Sequence, residues 1–194
     1  MLTLAAQSIS ALELAAFASG LLSVWLAQRL HIANWPAGIV SVLCFAFVFF
    51  EARLYAGALL QLAIVVVAAY GWWNWARAKP GHGELRVTRS KRREIALALA
   101  LGAAGTAAGA TALAAWTDNP APWPDAAVLV FSLLALWGQA HRRVECWLLW
   151  IGVDLVAIPL YWSRSLPLTA ALYVLFLLLC IRGWRSWERR RWQG

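Results

Sequence analysis

Gly71-Trp72-Trp73-Asn74-Trp75 closes one long apolar segment, and Gly183-Trp184-Arg185-Ser186-Trp187 closes another, 112 positions later. The same offset carries Trp25 to Trp137 and Trp35 to Trp147. It also carries Leu54, Ala58 and Leu60 to Leu166, Ala170 and Leu172. Tryptophan is rare, so four tryptophan pairs in one gapless register mark an internal repeat. Each copy holds three long apolar segments, and a seventh lies between the copies. That is the plan of a membrane carrier with its site between two parallel repeats.

Composition agrees. Of 194 residues, 62% are hydrophobic, more than a soluble domain of this size needs. Seven stretches are long and uncharged enough to span a bilayer core, which takes about 20 residues per helix. They lie near 10–29, 35–50, 56–76, 95–116, 124–141, 146–162 and 167–184. The expected fold is all-α: a polytopic membrane protein with seven transmembrane helices, in a 3+1+3 arrangement of two parallel three-helix repeats. Residues 1–76 form the first repeat. Residues 77–123 form a basic linker plus a connector helix, and 124–194 the second repeat with a basic tail. No Lys or Arg precedes the first apolar segment, so it does not read as a cleavable signal.

The net charge of +8 invites a nucleic-acid reading, but the placement of the charges argues for topology instead. With seven spans, one side carries only Arg53 and Arg164. The other fifteen Lys and Arg lie on the opposite side, clustered at 77–93, 142–143 and 182–191, with Arg29. Positive-inside asymmetry puts the N-terminus outside and the C-terminus in the cytoplasm. The basic clusters then anchor the protein and attract anionic lipid. No nucleic-acid partner is expected.

An extra fourth span restores the orientation of the second triplet and should leave a cavity between the halves. That span, rich in Ala and Gly, holds Gly105 and Gly109 as a GxxxG, suited equally to packing on the repeats or to self-association. The linker, with Pro80, Gly81, Gly83 and seven positive charges, reads as a water-exposed loop. Asn119, Pro120, Pro122 and Pro124 read as a stiff outward turn. Cys44, Cys146 and Cys180 fall at helix positions without metal-ligand spacing, so neither a disulfide nor a metal is expected.

Polar groups at membrane depth are costly and tend to be functional. Asp154 sits mid-way along the sixth segment, where the first copy has Val42. Trp147, Trp150 and Asp154 stand at i, i+3 and i+7, on one helix face. Two indoles beside a carboxylate suit a flat aromatic cation. Gln61 and its mate Tyr173 break the repeat with hydrogen-bonding groups, as a symmetric scaffold around an asymmetric ligand should. Trp35 is a candidate cavity lining or an interfacial anchor, and Asn34 a candidate helix cap. Asn74 is a candidate contact on the exit path. Trp72, Trp73, Trp75, Trp184, Trp187 and Trp192 read as an aromatic belt. Pro159 should kink the sixth helix. His31, His82 and His141 fall in loops; no catalytic constellation, phosphate loop or nucleotide motif is present, so an enzyme is not expected.

Asn34-Trp35-Pro36-Ala37-Gly38-Ile39, Leu54-Tyr55, Leu60-Gln61 and Tyr70-Gly71-Trp72-Trp73-Asn74-Trp75 resemble the first half of the PnuC vitamin transporters. Trp147-Leu148-Leu149-Trp150, Val153-Asp154, Tyr161, Thr169-Ala170 and Leu172-Tyr173 resemble the second half. The resemblance implies facilitated diffusion of nicotinamide riboside across a bacterial inner membrane, with phosphorylation in the cytosol trapping the vitamin. Related branches carry thiamine or riboflavin. It further implies the 3+1+3 fold, a homotrimer, no cofactor, and Gln61, Trp150 and Asp154 in the substrate site. An amide can stand in the family where this chain has Asp154, so thiamine remains the alternative substrate. A phosphorylated vitamin would want buried Arg or Lys, and rejection of nicotinamide mononucleotide is expected. A non-transporting membrane enzyme or assembly subunit is the rival of a different class.

Overall fold

The computed structural model describes residues 11–51, 55–77, 86–163 and 167–192. Among the described residues there are seven helices: α1 (Ala11–Gln28), α2 (Asn34–Glu51), α3 (Tyr55–Ala76), α4 (Arg92–Trp116), α5 (Pro122–Ala140), α6 (Cys146–Ser163) and α7 (Pro167–Trp192). Helix is what such a sequence must form in lipid, because only a helix satisfies its own backbone groups there. By length and composition, α4 to α7 supply four helices able to cross a membrane. The expectations for Arg53, Leu54, Lys79, Pro80, Gly81, His82, Gly83, Arg164 and Leu166 lie outside the described residues.

Six of the helices start and stop within a few residues of the expected bounds. The exception is the end of α7. It was expected near residue 184 and runs to Trp192. The apolar run does stop there, but the backbone keeps its helix, because Trp187 still has a core to bury into. α6 continues unbroken through Pro159.

Helices α1, α2 and α3 pack in chain order, as do α5, α6 and α7. The two triplets meet through α1 against α7 and α3 against α5. Helix α4 packs on α5 alone. Its glycines make that contact. A Cβ on Gly102 would fall 2.6 Å from the Phe131 ring, and one on Gly109 would fall 3.2 Å from Ala126. Gly105 faces Val130 in the same way. The GxxxG face is therefore occupied within the chain.

The repeat is visible in backbone detail. α1 and α5 both end in a residue with positive φ, Leu30 at 57° and Arg142 at 56°. His31 N donates to the Leu26 carbonyl and Leu30 N to Ala27. Arg143 N and Arg142 N do the same to Gly138 and Gln139. This is the paired C-terminal hydrogen bonding of a left-handed helix stop, built here without the usual glycine.

Each turn delivers a tryptophan to the core. Trp35 crosses Trp75 edge to face (5.4 Å, 89°), and Trp147 crosses Trp187 (5.4 Å, 90°). Gly71 lies under the Trp35 ring and Gly183 under the Trp147 ring, where a Cβ would stand 2.2 Å and 2.6 Å from indole carbons. Trp75 Nε1 donates to the Ala140 carbonyl (3.0 Å), and Trp187 Nε1 to the Ala27 carbonyl (3.0 Å). Asn74 Nδ2 and Ser186 Oγ reinforce these bonds, reaching Ala140 O (2.8 Å) and Gln28 O (3.2 Å). Thus the third helix of each triplet satisfies carbonyls at the end of the other triplet's first helix. The C-terminal ends of α1, α3, α5 and α7 converge there with the N-terminal ends of α2 and α6.

Two expectations are corrected at this end. Trp75 and Trp187 are 2% and 0% exposed, so they are core, not belt. Trp72, Trp73 and Trp184 do face outward. The linker is also not wholly in water. Val87 is buried in the tryptophan cluster. Thr88 N donates to Arg142 O (3.0 Å), and Val144 N to Thr88 O (3.0 Å). Arg89 pairs with Glu145 and Glu188 at 3.7 and 3.6 Å, and Arg143 with Glu94 at 3.3 Å.

Gly183→Ala overpacks the Trp147 socket and should cost about 1–3 kcal/mol. A Cβ on Gly152, in α6, would meet nothing within 4 Å. Gly152→Ala should therefore leave the melting temperature of the detergent-purified protein unchanged or raise it. Trp187→Phe keeps a ring in the core but removes the N–H to Ala27, and should cost about 0.5–1.5 kcal/mol in the same measurement.

Candidate functional site

Helix α6 presents its chemistry on one face. Trp147, Trp150, Asp154 and Tyr161 follow one another at three-, four- and seven-residue steps, which a helix stacks on one side. With a 1.5 Å rise, Asp154 lies about 12 Å along the axis from Cys146, and Tyr161 about 10 Å further. The four side chains thus form a row from the tryptophan cluster into the body of the protein.

Asp154 is 2% exposed. The Cys180 thiol of α7 reaches its carboxyl. Its Oδ2 has no hydrogen-bond partner, and no Lys or Arg pairs with it among the described residues. A buried carboxyl group with an unpaired oxygen is costly, and such a group is a place for a ligand to donate. Beyond it, Tyr161 stacks on Tyr173 of α7 (5.1 Å, 24°), and Tyr173 meets Phe176 edge to face (5.8 Å, 80°). Phe176 in turn reaches Gly20 of α1, across the boundary between the triplets.

Trp150 is half-buried. Its Nε1 donates to Gln139 Oε1 (3.2 Å). Gln139 Nε2 donates to Asn34 Oδ1 (3.1 Å), and Asn34 Nδ2 to the His31 carbonyl (2.8 Å). Asn34 thus ties its side chain back to the preceding turn and across to α5, and does not cap the amides of α2.

The other expected site residues are placed differently. Trp35 and Trp147 are each 1% exposed, so in this conformation they pack the core and line no cavity. The reason is the glycine beneath each ring. Asn74 is committed to the Ala140 carbonyl. Gln61 is half-buried on α3, a helix that packs on α2 and α5 and makes no direct contact with α6 or α7. A cavity of about 220 Å³ is present, but between α5 and α6 on the opposite side of α6. Phe131, Leu148, Leu149, Gly152 and Val156 line it, and it holds no charged group. The expected hollow between the halves is closed at the tryptophan end.

Gln139 and Cys180 adjoin this face as well. Both carried a signal in the sequence. At the 112-residue offset Cys180 answers to Ala68 and Gln139 to Ala27. Each is a polar or polarisable group in one copy where the other has alanine, the same kind of break that drew attention to Asp154.

Comparison with known proteins bears on what this face does. Residues 10–189 match the family model described as "Nicotinamide mononucleotide transporter". The chain is 33% identical to the riboflavin/roseoflavin transporter RibM of Streptomyces davaonensis, covering 88% of this chain and 81% of that protein. It is 23% identical to the nicotinamide riboside transporter PnuC of Escherichia coli K12, covering 92% and 85%. The crystal structure of the vitamin B3 transporter PnuC superposes with a TM-score of 0.77 at 26% identity, over 94% of this chain and 82% of that one. These relatives are transporters and not enzymes. With its helical fold, its apolar spans and its match along almost the whole length, the chain belongs to the PnuC family of multi-pass membrane vitamin transporters.

Proposed function

We propose that this protein is a uniporter for a vitamin built on a flat aromatic ring, and that the vitamin is riboflavin. The α6 face carries the reading: one buried carboxyl group, with an oxygen unpaired, between the Trp150 indole and the Tyr161–Tyr173 stack. A planar ring system gains stacking from such a face, and an imide N–H or a hydroxyl can donate to Asp154. Riboflavin has both. The 33% identity to a protein named as a riboflavin/roseoflavin transporter supports flavin over the alternatives.

Nicotinamide riboside is the second reading, favoured by the same carboxylate. Its pyridinium ring is a cation, and an uncompensated Asp154 would attract it, with cation–π attraction of about 0.5–2 kcal/mol from Trp150. Thiamine shares that property. For all three, rocking of the two like-oriented triplets about the tryptophan end would expose the site alternately. Cytosolic phosphorylation would draw the vitamin inward without ATP use by the carrier itself. The arginine-rich end, where α1, α3, α5 and α7 finish, is assigned to the cytoplasm by the positive-inside rule, with the N-terminus outside the bacterial inner membrane.

Titration of the purified protein with riboflavin, nicotinamide riboside and thiamine should give the tightest binding to riboflavin, by about tenfold or 1.4 kcal/mol. Tightest binding of nicotinamide riboside would establish the second reading, and binding of none would overturn both. Nicotinamide mononucleotide should neither bind nor be taken up. Asp154→Asn keeps an acceptor and removes the charge. It should change riboflavin affinity little while weakening any binding of nicotinamide riboside by about tenfold. Equal losses for the neutral and the cationic ligand would show that Asp154 is structural.

A further inference from the structure

The hydrogen bonds between Trp150 and Asn34 form a chain with one possible polarity. An indole N–H only donates, so Gln139 must turn its oxygen to Trp150 and its amide nitrogen to Asn34. Asn34 must then accept with its oxygen and donate to the His31 carbonyl. Gln139 and Asn34 are 6% and 1% exposed, so water does not substitute for these partners. Every link is asymmetric in the repeat. Trp150 answers to Gly38, Gln139 to Ala27, and Asn34 to Cys146. The symmetric frame of the protein therefore does not need this chain. It is also a hydrogen-bonded side-chain path that starts on the candidate site and ends in the other triplet, at the turn where α1 gives way to α2.

From this we infer that Gln139 is a positioning residue for the substrate: it holds the Trp150 ring in place and links that ring to Asn34 in the opposite repeat. The inference rests on Trp150 belonging to the substrate site. Removing Gln139 frees the indole to rotate, and the stacking surface loses its fixed orientation. Gln139 touches no substrate; its effect passes through the Trp150 N–H. The link to Asn34 means that the ring and the joint between the triplets are restrained together. A ligand that displaces the ring changes both.

A double-mutant cycle tests this in the full-length protein, with riboflavin as the probe and flavin fluorescence as the readout. Trp150→Phe keeps a ring and removes the N–H. Gln139→Met keeps the volume and removes both amide groups, and Gln139→Leu is the second variant if the first does not fold. Melting temperature confirms folding in each case. Trp150→Phe and the Gln139 variant should each weaken binding by about fivefold, or roughly 1 kcal/mol. The double variant should be no weaker than Trp150→Phe alone, because Gln139 has nothing left to hold. Losses that multiply would overturn the inference, since Gln139 would then act independently of the ring. Unchanged affinity on replacing Gln139 would also overturn it, while leaving Trp150 in the site. If Trp150→Phe itself binds normally, the indole N–H is not needed for binding and the inference falls, while a ring at position 150 still fits the site.

Discussion

Two tryptophan side chains, each reaching into the other half of the molecule, hold this structure together. A helix ends with carbonyls that have no partner in the helix, and in a membrane protein they cannot be left bare. Trp75 fills that need at Ala140 of α5; in α1 Ser186 fills it at Gln28, and Trp187 adds a second bond to the Ala27 carbonyl. Lipid gives no hydrophobic drive for one helix to seek another, so close packing and hydrogen bonds must do so. The glycines beneath Trp35 and Trp147 supply the packing, and the indole N–H groups supply the bonds. Each half bonds carbonyls at the end of the other's first helix. The repeat is therefore a mutual dependence of two triplets, and the linker strap with Val87 lies over the point where they depend on each other.

That frame is symmetric, and the chemistry set in it is not. Leu30 and Arg142 make the same turn. Trp25 lies under Arg29, while its mate Trp137 lies under His141 and stacks on Tyr70. Against this background Asp154, Cys180, Gln139 and Trp150 stand where the first copy has Val42, Ala68, Ala27 and Gly38. Three of the four lie on α6 and α7, and the fourth faces them directly from α5. A vitamin has no two-fold axis. At these four positions the second copy bears the chemistry where the first has only small or apolar residues.

The conformation is informative in the same terms. The tryptophan end is sealed by crossed and tilted indole rings and by backbone hydrogen bonds to the strap. Asp154 and the tyrosine pair lie deeper, beyond that seal. The basic end is closed, and the Asp154 carboxyl group lies buried behind it.

Much of this was legible in the chain itself. Apolar length gave seven helices, because lipid leaves the backbone no other choice. The tryptophan register gave the repeat, and helical spacing put Trp147, Trp150 and Asp154 on one face. What the sequence could not separate was a tryptophan at an interface from a tryptophan in a core. Trp72 and Trp75 have the same composition around them, and only the approach of the opposite triplet buries one and exposes the other. For the same reason Trp35, Trp147 and Asn74 read as ligand contacts, while in this conformation the two rings are buried in packing and Asn74 is bonded to Ala140. The end of α7 ran past the apolar segment because Trp187 had a partner 160 positions away. Burial depends on which distant surfaces meet, and no local pattern encodes that; tertiary structure alone decided which rings hold the protein together and which stay at its surface.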